Sequence, residues 1–196
     1  VGNYWEYEVR NARGELRDSI RYEVLEEIRH ANYPDDLRLF VTDWNHPSQP
    51  PEPNRSIYSN QPGGTHLSGI IRGPADTAAV DFIRFPNTAS AGTVLYSYIY
   101  RRIGDTETFE VTDSTRYELV ATDEVVETPA GRFVTYAYRR YNPPPVSDVA
   151  TGDYVYFHYA PGIGMVARII WPEKRDRIGI PNRRYLLTEH CVMAVP

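Results

Sequence analysis

Glu127-Thr128-Pro129-Ala130-Gly131-Arg132-Phe133 and Tyr159-Ala160-Pro161-Gly162-Ile163-Gly164-Met165 are the two stretches that decide the fold. In each, proline sets φ for a corner and glycine supplies φ > 0, so the chain can reverse within a few residues. The runs on either side alternate apolar and polar residues. That is the period of half-buried strands, not of helices. Two long antiparallel hairpins follow, and with them an all-β class.

The same alternation extends outward. In residues 1–10, Trp5, Tyr7 and Val9 share one face, and Tyr4, Glu6, Glu8 and Arg10 the other. Asn11-Ala12-Arg13-Gly14 reads as a turn into a second strand carrying Leu16, Ile20, Tyr22, Val24 and Ile28. The spacing of Tyr22, Leu25 and Ile28 also fits a helix, but β-branched content and the preceding alternation favour strand. Further strands are predicted at 37–44, 65–72, 79–85, 93–103, 107–112, 116–127, 133–142, 154–159, 165–171 and 183–192, with one helical turn at Asp76-Thr77-Ala78. Pro47, Pro50, Pro51, Pro53 and Pro62 mark 46–64 as a long irregular excursion, because proline cannot donate to a ladder. Pro143-Pro144-Pro145 reads as a stiff spacer. The expectation is one domain over 1–196: an antiparallel half-barrel or open β-sandwich of about ten to twelve strands, with a long proline-rich loop.

Composition narrows the function. A net charge of −5 argues against a nucleic-acid partner. Lys174 is the one lysine among 21 Lys and Arg, so the cationic groups are almost all guanidiniums, suited to planar, bidentate pairing. Cys191 is the sole cysteine, so no disulfide forms within the chain, and a bridge between chains stays open. No run approaches the roughly 20 apolar residues of a membrane-spanning helix. The chain opens on strand-like residues without an initiator Met, which leads us to expect either a processed mature chain or a trimmed one.

No catalytic motif stands out. His30, His46, His66, His158 and His190 form no close metal-binding pair, and Cys191 has no CxxC partner, so no metal or cofactor is expected. No serine sits on a G-x-S-x-G elbow, and Gly162-Ile163-Gly164 lacks the lysine and helix of a phosphate cradle. Asp18, Glu26, Asp43 and Asp123 fall near the apolar phase of their strands, as glycosidase carboxylates would. Asn54-Arg55-Ser56 is a glycosylation sequon. The remaining candidate is an aromatic stripe. The chain has 16 tyrosines, and Trp5, Tyr7, Tyr96, Tyr98, Tyr100, Tyr136, Tyr138, Tyr154, Tyr156, Phe157 and Tyr159 cannot all lie in one dry core without partners for their hydroxyls. Some should line a cavity or an interface.

Three segments in order, Val1-Gly2-Asn3-Tyr4-Trp5-Glu6-Tyr7, Thr128-Pro129-Ala130-Gly131-Arg132-Phe133 and Tyr159-Ala160-Pro161-Gly162-Ile163-Gly164-Met165-Val166, resemble uncharacterised bacterial secreted proteins and lipoproteins. Those families are similar to periplasmic lipoprotein carriers, with an antiparallel half-barrel or open sandwich. The resemblance implies export and a non-enzymatic role, and assigns no functional residue. The leading expectation is a structural or interaction protein of the cell envelope or extracellular space, whose partners are other protein subunits, itself included. The alternative is a carrier or binder of an apolar or glycan ligand on the concave face. A carbohydrate-active enzyme comes third.

Overall fold

A computed structural model describes residues 2–28, 39–45, 55–61, 64–73, 76–81, 89–102, 109–142, 153–172 and 180–192; side chains are described for 2–27, 89–96, 115–140, 154–171 and 180–192. Twelve strands are formed: β1 Tyr4–Asn11, β2 Leu16–Ile28, β3 Leu39–Asn45, β4 Arg55–Gln61, β5 Gly64–Gly73, β6 Asp76–Asp81, β7 Val94–Arg102, β8 Phe109–Thr128, β9 Gly131–Asn142, β10 Asp153–Ala160, β11 Gly164–Pro172 and β12 Arg183–Cys191. All pair antiparallel with their neighbours in sequence order, and β1 pairs with β12 as well as with β2. The all-β antiparallel class and the strand number are those expected. The pairing of β1 with β12 carries the curl of the expected half-barrel round to closure, so both edges of β1 are used.

The two diagnostic turns are tight hairpins. Thr128 pairs with Gly131 across Pro129-Ala130. Ala160 pairs with Gly164, and Ile163 N donates to Ala160 O at 3.2 Å. Strand also wins over helix for 22–28. Three expectations are corrected. The strands expected at 107–112 and 116–127 run together as one, β8. The stretch 46–64 is not one irregular loop, because it holds β4 and the start of β5. Its prolines are clustered at both ends, which leaves 54–61 with every backbone N–H free to join a ladder. Asp76-Thr77-Ala78 is strand, not a helical turn: these residues pair with Gly73, Ile71 and Ile70 of β5. Residues 143–145, Lys174 and Asn54 lie outside the described residues.

Cross-strand register divides the side chains into two faces. Trp5, Tyr7 and Val9 stand opposite Tyr22, Ile20 and Asp18 on β2, and opposite His190, Leu187 and Tyr185 on β12. This face is the concave one. Tyr7 Oη on β1 reaches past β12 to donate to Met165 O on β11 at 2.7 Å. Side chains of strands two apart meet only where the sheet curls toward them. The outer face of β1 and β2 carries ion pairs: Arg21 with Glu6 at 2.8 Å and with Glu23 at 3.3 Å, and Arg10 with Glu8. A membrane-spanning barrel would place an apolar band there instead.

Both hairpin tips fold over one end of the concave face. Ala130 N donates to Leu187 O at 3.0 Å. Ala130, Phe133, Ile163 and Met165 pack with Trp5 and Tyr22 against buried Tyr7, Ala160, Val166 and Leu187. Gly162 holds φ of 75°, and a Cβ there would meet nothing within 4 Å. Gly162→Val therefore isolates the backbone cost of the corner. It should lower stability by about 1–3 kcal/mol in a urea melt; an unchanged midpoint would show that the corner carries no strain.

Candidate functional site

The closed end is the better-defined part of the concave face. Alternation puts Trp5 and Tyr7 on it, and each spends its polar atom on the β10–β11 tip. Trp5 Nε1 donates to Ile163 O at 2.6 Å, and Tyr7 donates to Met165 O. Gly164, with φ of 104°, lies 3.5 Å from the Trp5 indole nitrogen. Tyr7 and Tyr22 meet edge to face at 5.6 Å. Further round, Tyr138 and Tyr159 do the same at 6.0 Å. Burial pushes the Tyr22 and Tyr138 phenols above their ordinary value; Tyr136 adds to the Tyr138 effect, while Arg168 opposes the one on Tyr22.

Beyond this aromatic floor lies a cross-strand row not anticipated from the sequence. Tyr117 on β8, Arg140 on β9, Phe157 on β10, Arg168 on β11 and Tyr185 on β12 are successive or diagonal neighbours on the concave face. The Arg140 guanidinium carbon is 5.8 Å from the Tyr117 ring centre and 5.5 Å from that of Phe157. That of Arg168 is 5.7 Å from Phe157 and 5.0 Å from Tyr185. Each cation thus sits between two rings at cation–π distance. Arg140 also donates to Tyr117 Oη at 3.3 Å. No carboxylate among the described residues pairs with Arg140 or Arg168, and the Nε of each is buried without a hydrogen-bond acceptor. Asp18 is the carboxylate on this face of β1 and β2, outside ion-pair reach of both.

Arg139 supplies the contrast. One residue from Arg140, it points to the outer face. There it donates to Glu118 at 2.7 Å and lies 5.8 Å from the Tyr154 ring. Burial works against its charge, but hydrogen bonds with Glu118 and Tyr156 outweigh that and raise its pKa.

The aromatic candidates therefore divide. Trp5, Tyr7, Tyr136, Tyr138 and Tyr159 share the concave face. Tyr154 and Tyr156 stand on the opposite face with Arg139, although Tyr156 is only 1% exposed. Tyr96 pairs with Arg116 on the outer face and is 50% exposed. The side chains of Tyr98 and Tyr100 lie outside those described, as does Asn54. Of the acidic candidates, Glu26 and Asp123 are exposed, and Asp18 is half-buried on a strand that Asp123 does not adjoin. Thr135, His158 and Glu124 come together: Thr135 Oγ1 is 3.4 Å from His158 Nδ1, and Glu124 is 3.9 Å from it. Thr135 spends its proton on Glu124 O, and it and His158 are buried, while the Glu124 side chain is partly exposed. Among the described residues, no three potential metal ligands cluster.

The missed arginines left unequal traces. Arg140 follows Tyr136 and Tyr138 at strict alternation, so its phase was readable. Arg168 was not, because an extra residue in β11 shifts the register opposite His158 and Tyr159.

No family model matches the chain, and no curated protein does either. Two solved structures share its architecture. One, provisionally described as an exported protein with a YmcC-like fold, is from Bacteroides fragilis NCTC 9343; it is 17% identical, with a TM-score of 0.52 over 97% of this chain and 95% of that one. The other, provisionally described as a lipoprotein, is from Parabacteroides distasonis ATCC 8503; it is 16% identical, with a TM-score of 0.55 over the same shares. The likeness is one of fold. At these identities it transfers no residue roles.

Two measurements test the floor. Trp5→Phe keeps the ring but leaves Ile163 O without its donor, and should cost about 1–3 kcal/mol in a denaturant melt; a neutral result would show that the contact does not hold the tip. The second concerns pH. Tyr22 and Tyr138 ionise near 10.0 when unfolded and higher when folded. Their contribution to stability is complete below that value and is lost as pH rises through the folded values. Urea midpoints should hold level up to about pH 10 and fall above it, while absorbance at 295 nm shows a late-titrating class of phenols. A level midpoint beyond that range, with all phenols titrating together, would contradict the burial.

Proposed function

We propose that this is an exported, non-enzymatic protein of the cell envelope that binds an amphiphilic ligand on the concave face of its sheet. The observation that carries the reading is the concave face itself: an aromatic floor at one end, followed by a row of rings and guanidiniums aimed inward. An eight-stranded barrel is about filled by its own side chains, and the interior widens with strand number, which favours a guest in a twelve-stranded circuit. The descriptions of the two structural neighbours as exported protein and lipoprotein support the location. Self-assembly through sheet edges is the weaker reading, because the edges of β1 and β12 are spent on each other.

N-phenyl-1-naphthylamine, a neutral apolar dye that brightens in dry surroundings, tests the reading. Saturable brightening at about one dye per chain, with affinity on the order of micromolar, is the expected result. No brightening by a protein that keeps its β circular dichroism would overturn it.

A further inference from the structure

The row Tyr117–Arg140–Phe157–Arg168–Tyr185 places two positive charges inside the curl of the sheet, and no carboxylate among the described residues pairs with them. Both residues are half-buried, and burying part of a cation without a counter-ion is costly. Stacking on rings recovers part of that cost, but a ring cannot accept the in-plane hydrogen bond that a guanidinium Nε–H offers. Arg140 Nε and Arg168 Nε are both buried with no acceptor. Trp171 Nε1 is in the same condition, but it follows Ile170 by one and so falls on the other face. The outer face shows what this sheet does with an arginine whose role is structural: Arg139, Arg21 and Arg10 each have a glutamate. Arg140 and Arg168 have no such partner among the described residues, and the Nε of each is buried. They stand on the second and fourth of five adjacent strands, with Phe157 between them, so they flank one place on the sheet.

We propose that Arg140 and Arg168 hold the oxyanion group, carboxylate or phosphate, of the amphiphile, while its apolar body lies along the aromatic face toward Trp5 and Tyr138. An oxyanion carries several lone pairs in the plane a guanidinium can reach, which a neutral hydroxyl or amide cannot match. The inference rests on the ligand-binding reading above and adds the charge of the headgroup.

Displacement of N-phenyl-1-naphthylamine tests it, with laurate, 1-dodecanol and inorganic phosphate as competitors. Laurate and dodecanol share a chain and differ at the head. Laurate should displace the dye at a concentration at least roughly tenfold lower than dodecanol, as expected for charge-assisted hydrogen bonds. Inorganic phosphate, without a tail, should not displace it in the same range. Arg140→Met and Arg168→Met should each remove most of the advantage of laurate over dodecanol, while Arg139→Met keeps it. The comparison of competitors needs no variant, so a variant that fails to fold leaves the test intact. Equal displacement by laurate and dodecanol would overturn the headgroup assignment and leave the ligand reading standing. Displacement by phosphate as strong as by laurate would overturn the amphiphile. A dye that never binds would overturn both readings.

Discussion

The hydrogen bonds from Trp5 to Ile163 and from Tyr7 to Met165 are the constraint on which the rest of the structure turns. Each runs from β1 across β12 to the tip of the β10–β11 hairpin. A flat sheet would keep those groups apart, and a sheet bent enough to bring them together has chosen its inside. From that choice follow the burial of Leu187 and Val166, the folding of Ala130 and Phe133 over the same end, and the exposure of the Glu–Arg pairs on the other face. The same bend lets β12 reach β1 and use the last free edge.

Closing one end with aromatic rings decides where chemistry can occur. The floor is packed by its own side chains, and the Tyr7 hydroxyl and Trp5 indole nitrogen are spent on backbone carbonyls. The arginine row lies farther along, toward the ends of β9 and β11. There the Nε groups of Arg140 and Arg168 are not spent. Phe157 separates two cations that would otherwise repel at close range, and Tyr117 and Tyr185 cap the row on each side. A core built only for stability would place leucine or valine at positions 140 and 168, as it does at Leu119, Val155 and Leu187. Two arginines without carboxylates are a cost to folding that a bound anion would remove.

Much of this was legible in the residues. Proline followed by glycine at Pro161-Gly162, and Pro129-Ala130-Gly131, announced hairpins because few other pairs allow such corners. The alternation at Trp5, Tyr7 and Val9 gave the face as well as the strand. The stripe as a whole was harder. Tyr154-Val155-Tyr156-Phe157-His158-Tyr159 has rings in both phases, so alternation alone could not say which belong inside; pairing with Arg139 puts Tyr154 and Tyr156 outside. An extra residue at Thr188 in β12, opposite Glu6 and Tyr7, and another at Thr112 in β8, opposite Ile99 and Tyr100, break the strict alternation of those strands. A bulge leaves no reliable mark in a single sequence, because it is fixed by the neighbouring strand. The absence of a carboxylate partner for Arg140 and Arg168 among the described residues could not be read at all, since it depends on five strands coming side by side.

The most direct measurement follows the Nε–H resonances of the arginines by 15N–1H correlation while laurate is added. The inward guanidiniums have an unmet donor, and Arg139 does not. Arg140 and Arg168 should shift together and saturably, as a weak ring contact is replaced by a hydrogen bond to an anion, while Arg139 stays with Glu118. Resonances of Arg140 and Arg168 that do not move, or an Arg139 that moves as far as they do, would contradict the account.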